Sequence, residues 1–240
     1  MAINTHVHVE TKEEIDMVNS DPNLEYVINI GMDYQSSKRA IEIAKSNEKF
    51  LVAAGIHPLH IEGEDPRKIE ELLNSEKVHA VGEIGLDING GDFKKQVRYA
   101  IVQIKLANKY GLPVIVHCNG YNKEMIELLE HVRPEHGCVF HCFKPEPAKV
   151  KRIAENGWYI SFAGRITYAS ARLSLEVAKM VPYSLFLVET DSPFININGR
   201  RSNPSDVTYV ISKIAEVKGV SYKDIEIITR ENAKRLFMIK

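Results

Sequence analysis

The sequence predicts an α/β protein folded as one closed (β/α)8 barrel, a TIM barrel, with an extra helix at its C-terminal end. Three observations carry that prediction. Eight short apolar runs rich in β-branched residues recur along 240 residues, an amphipathic stretch follows each run, and no Pro/Gly/Ser-rich linker or block of like charge divides the chain. Barrels of about this length commonly form one domain, so a single domain is expected over residues 1–240. The competing arrangement is a doubly wound open sheet. It is disfavoured because the Gly-rich turn of a dinucleotide-binding fold is missing after the first run.

The runs lie near residues 2–9, 26–32, 50–56, 79–86, 113–118, 138–143, 158–164 and 185–191. Tyr26-Val27-Ile28-Asn29-Ile30 and Leu185-Phe186-Leu187-Val188 are nearly continuous in apolar residues. Such runs suit strands covered on both faces of a parallel sheet. Between them, Val97, Ala100, Ile101, Ile104 and Ala107 recur at steps of three and four, as do Met125, Leu128, Leu129 and Val132, and Val207, Val210, Ile211 and Ile214. Each set forms the single apolar stripe of a helix laid on a sheet. Thr11 with Glu14 reads as a capping box, and Pro66, Pro147 and Pro204 fall near first-turn positions. A last helix is expected near residues 222–236.

Composition narrows the class. With 31 Lys and Arg against 32 Asp and Glu, the formal net charge is −1, and 44% of residues are hydrophobic. That balance excludes wholesale disorder and fibrous repeats, and any nucleic-acid contact would have to be local. Cys118, Cys138 and Cys142 are too few for a disulfide framework and lack the spacing of a structural zinc site. They are expected to be reduced, with Cys118 and Cys142 facing the helices because strand neighbours of His117 and His141 point to the opposite face. There is no basic start followed by an apolar stretch, and no apolar run approaches the roughly 20 residues of a membrane helix. The expected location is the cytoplasm, without membrane contact. Oligomeric state is not legible.

The chemistry is positional. Ionisable side chains recur at the C-terminal ends of the expected strands, where barrel enzymes keep their active sites. Strand one ends His6-Val7-His8, whose two imidazoles share a face because side chains alternate. His57 follows strand three, Glu83 lies in strand four, His117 and His141 end strands five and six, and Asp191 follows strand eight. Any one of these could be a hydrogen-bonded structural residue. Burying four imidazoles and two carboxylates (His6, His8, His117, His141, Glu83 and Asp191) at one mouth is costly without a compensating ion. Six mixed N and O donors exceed the needs of one tetrahedral ion and suggest two divalent ions, Mg²⁺, Mn²⁺ or Zn²⁺.

Taken together, His6-Val7-His8, Gly55-Ile56-His57-Pro58, Gly82-Glu83-Ile84-Gly85-Leu86-Asp87, His141-Cys142-Phe143, Ser161-Phe162-Ala163-Gly164 and Glu189-Thr190-Asp191-Ser192-Pro193 resemble the TatD family of metal-dependent hydrolases. The resemblance spans nearly the whole chain. It implies a two-metal phosphodiesterase, typically a deoxyribonuclease acting as a 3′–5′ exonuclease. It also implies that His6, His8 and Asp191 hold one ion and His117 and His141 the other, with Glu83 bridging. Asp191 would accept the proton of the attacking water, and His57 would lie at the mouth, near substrate or just behind the metal ligands.

Four positions depart from the family pattern. Asn4 stands where the family has Asp, so support behind His6 and His8 is expected to be weaker. Asn119 replaces an Arg, Lys144-Pro145 replaces Ser-Gly, and Ile88 replaces an aromatic. Lys144, Arg165, Arg200 and Arg201 are candidate phosphate contacts on the same end, and Tyr121, Tyr168 and Phe194 are candidate base-stacking residues. The expected partner is a DNA 3′ end or another phosphodiester. The alternative is a small-molecule amide or ester, because the same metal pair polarises a carbonyl. A non-catalytic metal-binding scaffold is the third reading.

Overall fold

The computed structural model describes residues 1–240. Eight strands, β1 (Ala2–Val7), β2 (Leu24–Ile30), β3 (Phe50–Ala54), β4 (Ala80–Asp87), β5 (Val114–Asn119), β6 (Cys138–Phe140), β7 (Tyr159–Phe162) and β8 (Phe186–Val188), lie side by side in chain order. Every neighbouring pair is parallel. The seam between β8 and β1 is closed by a few contacts near the mouth. Val7 bridges to Ser192, Asp191 N–H donates to His6 O at 3.1 Å, and His8 N–H donates to Ser192 O at 2.8 Å.

Nine α-helices surround the sheet: α1 (Lys12–Ser20), α2 (Tyr34–Lys45), α3 (Pro66–Ser75), α4 (Phe93–Tyr110), α5 (Asn122–Val132), α6 (Pro147–Glu155), α7 (Arg172–Met180), α8 (Val207–Lys218) and α9 (Tyr222–Phe237). The capping box at Thr11 and Glu14 is present, and Pro66 and Pro147 open α3 and α6. Pro204 instead opens a 3₁₀ turn (Pro204–Asp206) ahead of α8. No helix is long and apolar enough to cross a membrane.

Strand alternation divides the core in two. Val114, Val116 and Cys118 point outward into the large apolar layer between strands and helices. Ile3, Ile28, Leu51, Ala53, Ile115, Val139 and Leu187 point inward and pack with Ala233, Leu236 and Phe237 of α9. The extra helix therefore contributes to the apolar interior, while the opposite mouth holds the ionisable groups.

Two strands are shorter than the sequence suggests. β6 stops at Phe140 and β8 at Val188, so His141, Cys142 and Glu189–Asp191 lie on irregular backbone beyond the ladder. A hairpin of β9 (Asn196–Ile197) and β10 (Arg200–Arg201) is an addition that the sequence reading did not include. Its turn is Asn198-Gly199, both with positive φ, the strongest local signal for a tight hairpin.

Candidate metal centre

β1 projects His6 into the barrel, with His8 two residues on, just past the strand end; β4 projects Glu83 and Asp87, and β5 projects His117 and Asn119. Glu83 meets His117 because β4 and β5 approach closely at Gly85, whose Cα partner is His117. A Cβ on Gly85 would sit 2.0 Å from the His117 carbonyl oxygen, and its φ of 144° is unfavourable for any side chain. Asp191 adopts φ 54°, a left-handed conformation that Asp tolerates better than most residues. Its N–H is tied to His6 O, so the closing of the barrel seam is what carries its carboxylate to the histidines.

Glu83 divides its two oxygens. Oε1 lies 2.8 Å from His117 Nδ1 and 2.6 Å from His141 Nε2, and those two nitrogens are 3.3 Å apart. Oε2 faces the other side, 3.4 Å from His6 Nε2 and 3.9 Å from His8 Nε2. Asp191 Oδ1 completes that side at 3.8 Å from His6 Nε2 and 3.5 Å from His8 Nε2. All six expected donors therefore converge on one mouth.

The two sides are backed differently. His117 presents Nδ1 inward while its Nε2 meets Asp87 Oδ2 at 2.8 Å. Asp87 and Glu83 thus grip His117 through both ring nitrogens; with a cation in place of the Nδ1 proton, Asp87 would hold the remaining proton on Nε2. Behind His141, Glu189 Oε1 lies 3.3 Å from Nδ1 and accepts the Cys142 N–H at 2.6 Å. The Nδ1 atoms of His6, His8 and His141 are all buried without a hydrogen bond, and of the three only His141 has a carboxylate, Glu189, within ion-pair distance of Nδ1. Asp87 and Glu189 have no assigned role in the sequence reading. The signal for Asp87 is the two-residue period, which puts it on the face of Glu83 in β4; Glu189 lies past the end of β8, where alternation gives no such signal.

Ionisation follows these contacts. Burial opposes a charged Glu83, but the imidazoles of His141 and His57 and hydrogen bonds from His117 and His141 outweigh it and hold the carboxyl well below the usual range. Burial likewise opposes charge on Asp191 and is overcome by His8, His141 and His6. For Asp87, hydrogen bonds from His117, the Asn89 N–H and Asn119 outweigh burial and keep the carboxyl ionised. His6 and His57 are shifted down, chiefly by burial. His117 and His141 are shifted up against burial, by Asp87 and Glu83 in the first case and Glu83 and Glu189 in the second.

This donor set fits divalent cations. His6, His8 and Asp191 form one group with ligand atoms within 4.8 Å of one another, and Glu83 joins His6 and His141 in a second and His57 and His117 in a third. Four carboxylates (Glu83, Asp87, Glu189 and Asp191) are buried in one cluster, and their ion-pair partners are all imidazoles. No Lys or Arg offsets them, so the charge balance calls for cations.

His57 lies at the same mouth behind the expected ligands, with Nε2 3.4 Å from Glu83 Oε1 and its ring edge-on to His117. Its Nδ1 accepts the Leu59 N–H at 3.1 Å. A neutral imidazole carries one proton, which must then be on Nε2. His57 is thus a hydrogen-bond donor toward the centre, with no lone pair there to give a metal.

Asn4 does not touch the rings of His6 or His8. It accepts from the His6 and Thr190 N–H groups and donates to Thr190 Oγ1 and Pro204 O, fastening the seam beneath the site. Asn119 donates to both Asp87 oxygens at 3.2 and 3.1 Å, and its own oxygen accepts from Lys144. Cys118 packs outward as expected, but Cys142 does not. With β6 ended at Phe140 and φ at 40°, strand alternation no longer applies, and Cys142 lines a mouth cleft with Lys144 and Arg165. Burial pushes its thiol up to about 12.

Of the other loop residues, Arg200 is committed to Asp206, and Arg201 lies 3.9 Å from Glu14. Tyr121 packs on Phe93, and Tyr168 donates to Asn196 O. Phe194 is 60% exposed with its ring centroid 4.8 Å from that of His8.

An eight-stranded barrel with imidazoles and carboxylates gathered at one mouth defines a metal-dependent hydrolase barrel. Residues 3–238 match the family model described as TatD related DNase, and the chain belongs to that family. It is 33% identical to YabD of Bacillus subtilis, an uncharacterized metal-dependent hydrolase, over an alignment covering 100% of both chains. It is 30% identical to the similarly described YcfH of Escherichia coli K12, covering 82% of this chain and 77% of YcfH. Among solved structures, YjjV, a TatD homologue from Escherichia coli K12, superposes with a TM-score of 0.91 at 26% identity, covering 100% of this chain and 98% of that one. A TatD family hydrolase from Entamoeba histolytica shares the fold, with a TM-score of 0.85 at 21% identity and full coverage of both chains.

Proposed function

We propose that this chain is a divalent-metal-dependent phosphodiesterase that removes nucleotides from DNA 3′ ends. The observation that carries the reading is Glu83, whose two oxygens each face a separate set of histidines, with Asp191 beside one of them. The description of the matched family as TatD related DNase supports DNA as the substrate. Two ions of the Mg²⁺, Mn²⁺ or Zn²⁺ class, one on His6, His8 and Asp191 and one on His117 and His141 with Glu83 shared, would supply Lewis acidity to a phosphoryl oxygen and acidify the attacking water.

The chain's own groups do the rest. Asp191 is ionised and takes the proton of the attacking water. His57 offers Nε2–H toward the reacting phosphate, in the manner of an oxyanion-hole donor. Asp87 and Glu189 keep His117 and His141 turned inward. Phe194 gives the terminal base a face to stack on.

The test is an assay of protein loaded with each divalent ion, on 5′-labelled single-stranded DNA beside a panel of amides and esters. Stepwise 3′ shortening that a chelator abolishes is the expected result. Turnover of amides or esters alone would replace this reading with a small-molecule hydrolase. Asp191→Asn should lower kcat by about 10²–10⁴-fold with the fold intact; unchanged turnover would remove Asp191 from the role of base.

A further inference from the structure

We propose that Lys144 and Arg165 form a second anion subsite, which takes the phosphate next to the one being cleaved. This deepens the phosphodiesterase reading and rests on it. Both residues line one cleft at the mouth, beside Cys142 and so next to His141. Both are exposed, and neither is ion-paired to a carboxylate, whereas Arg39, Arg200 and Arg201 on the same end face Glu10, Asp206 and Glu14.

Lys144 is also aimed. Its ammonium donates to the oxygen of Asn119, whose amide is fixed by Asp87, itself bonded to His117. One of three ammonium protons is used, which leaves two for an anion. The Arg165 guanidinium makes no hydrogen bond to the protein, so its whole donor fork is free for phosphate oxygens. The nearest acidic side chain in sequence, Glu146, is turned to Asn122 and Lys149. Cys142, which shares the cleft with both cations, follows His141 directly, and Lys144 is linked through Asn119 and Asp87 to His117, so an anion held by the pair lies on the His117 and His141 side of the centre.

Three substrates separate the possibilities: a dinucleoside monophosphate with one phosphate, its 5′-phosphorylated form, and a trinucleotide whose second phosphate is a backbone diester. Steady-state kinetics would compare metal-loaded wild type with Lys144→Met, Arg165→Gln and the charge-preserving Lys144→Arg. Each neutral variant is expected to raise KM roughly two- to fivefold on the two substrates with a second phosphate, leave kcat unchanged, and leave the first substrate unaffected. Lys144→Arg should stay near wild type. For a labelled single-stranded oligonucleotide, the log–log salt slope of binding should become shallower by about 0.7 per lost contact. A penalty on the trinucleotide identifies a backbone phosphate, and one confined to the 5′-phosphorylated dinucleotide identifies a terminal phosphate; both support the subsite. If wild type cleaves all three and the variants match it, or lose equally on all three, the subsite is wrong and the phosphodiesterase reading stands. If wild type cleaves none, both fall.

Discussion

Asp87→Asn tests whether the two sides of the centre differ as their backing does. Asp87 accepts from His117 Nε2 at 2.8 Å, whereas no partner stands behind His6 or His8. Asn keeps the size but can turn its amide N–H toward Nε2, which removes the bias that presents Nδ1 inward. Losses of such partners typically cost about 10–100-fold in metal affinity. At free metal equal to about 100 times Kd, an intact site stabilises the fold by about 2.7 kcal/mol. With affinity weakened by that range, the same concentration yields only about 0.4–1.4 kcal/mol. A chain of this size shifts Tm by about 2–4 °C per kcal/mol, so the rise assigned to this site falls from about 5–11 °C to about 1–6 °C. The assay is thermal unfolding of chelator-stripped protein across a titration of Mn²⁺ or Zn²⁺. Scoring the rise relative to the stripped protein cancels any cost of the substitution to the empty fold. Wild type should show two stages, one of which moves to about 10–100-fold higher metal in Asp87→Asn. Two stages at wild-type metal concentrations in the variant, or no rise in wild type, would refute the reasoning.

Two further outcomes follow from the same geometry. Gly85→Ala places a Cβ 2.0 Å from His117 O in a backbone region unsuited to side chains, so β4 and β5 must separate. It should cost about 2 kcal/mol or more in urea unfolding and lower metal affinity with it; a variant neutral in both would show that this approach is dispensable. Away from the centre, burial pushes the His79 imidazole down to about 4 while its Nδ1 accepts the Val52 N–H. Below about pH 6.5 the unfolded chain takes up a proton that the folded one refuses, so stability is lost as pH falls toward 4. Allowing for partial exposure, His79 should account for about 1 kcal/mol of the loss between pH 7 and 5. His79→Asn, which keeps an acceptor for Val52, should flatten that part of the profile in urea titrations; an identical profile would exclude His79.

The barrel was legible because its strands are buried on both faces. An apolar run bounded by turn residues leaves little ambiguity when eight of them alternate with amphipathic stretches. The convergence of these six side chains was legible for a related reason: each is an ionisable residue within or just past an apolar run, where burial demands a partner. What failed was local inference past the strand ends. Side-chain alternation predicts Cys142 only if β6 continues through it, and the backbone leaves the ladder two residues earlier. The tautomer of His57 is not legible in sequence, because the Leu59 N–H contact that sets it depends on a 3₁₀ turn (Pro58–His60). Asn4 was read as weak support for two rings and instead ties β1 to Thr190 and Pro204, contacts 186 and 200 residues away in sequence.

The departures from the family pattern illustrate the same limit, because they are not independent. Read along the chain, Asn119 is a lost cation and Lys144 an unrelated change 25 residues later; in the fold the two are hydrogen-bonded. An arginine at 119 would compete with His117 for Asp87 and meet the Lys144 ammonium. Asn119→Arg alone should therefore lower Tm and metal affinity, while Asn119→Arg with Lys144→Ser removes the like-charge contact and recovers part of both. A double-mutant cycle on thermal stability at fixed metal should give a coupling of about 0.5 kcal/mol or more. Strict additivity would mean that the two positions vary separately and that Lys144 is not held in place by Asn119. The positive charge at this mouth is then best viewed as moved from the end of β5 to the loop after β6, which leaves the carboxylate behind His117 free to serve the metal centre.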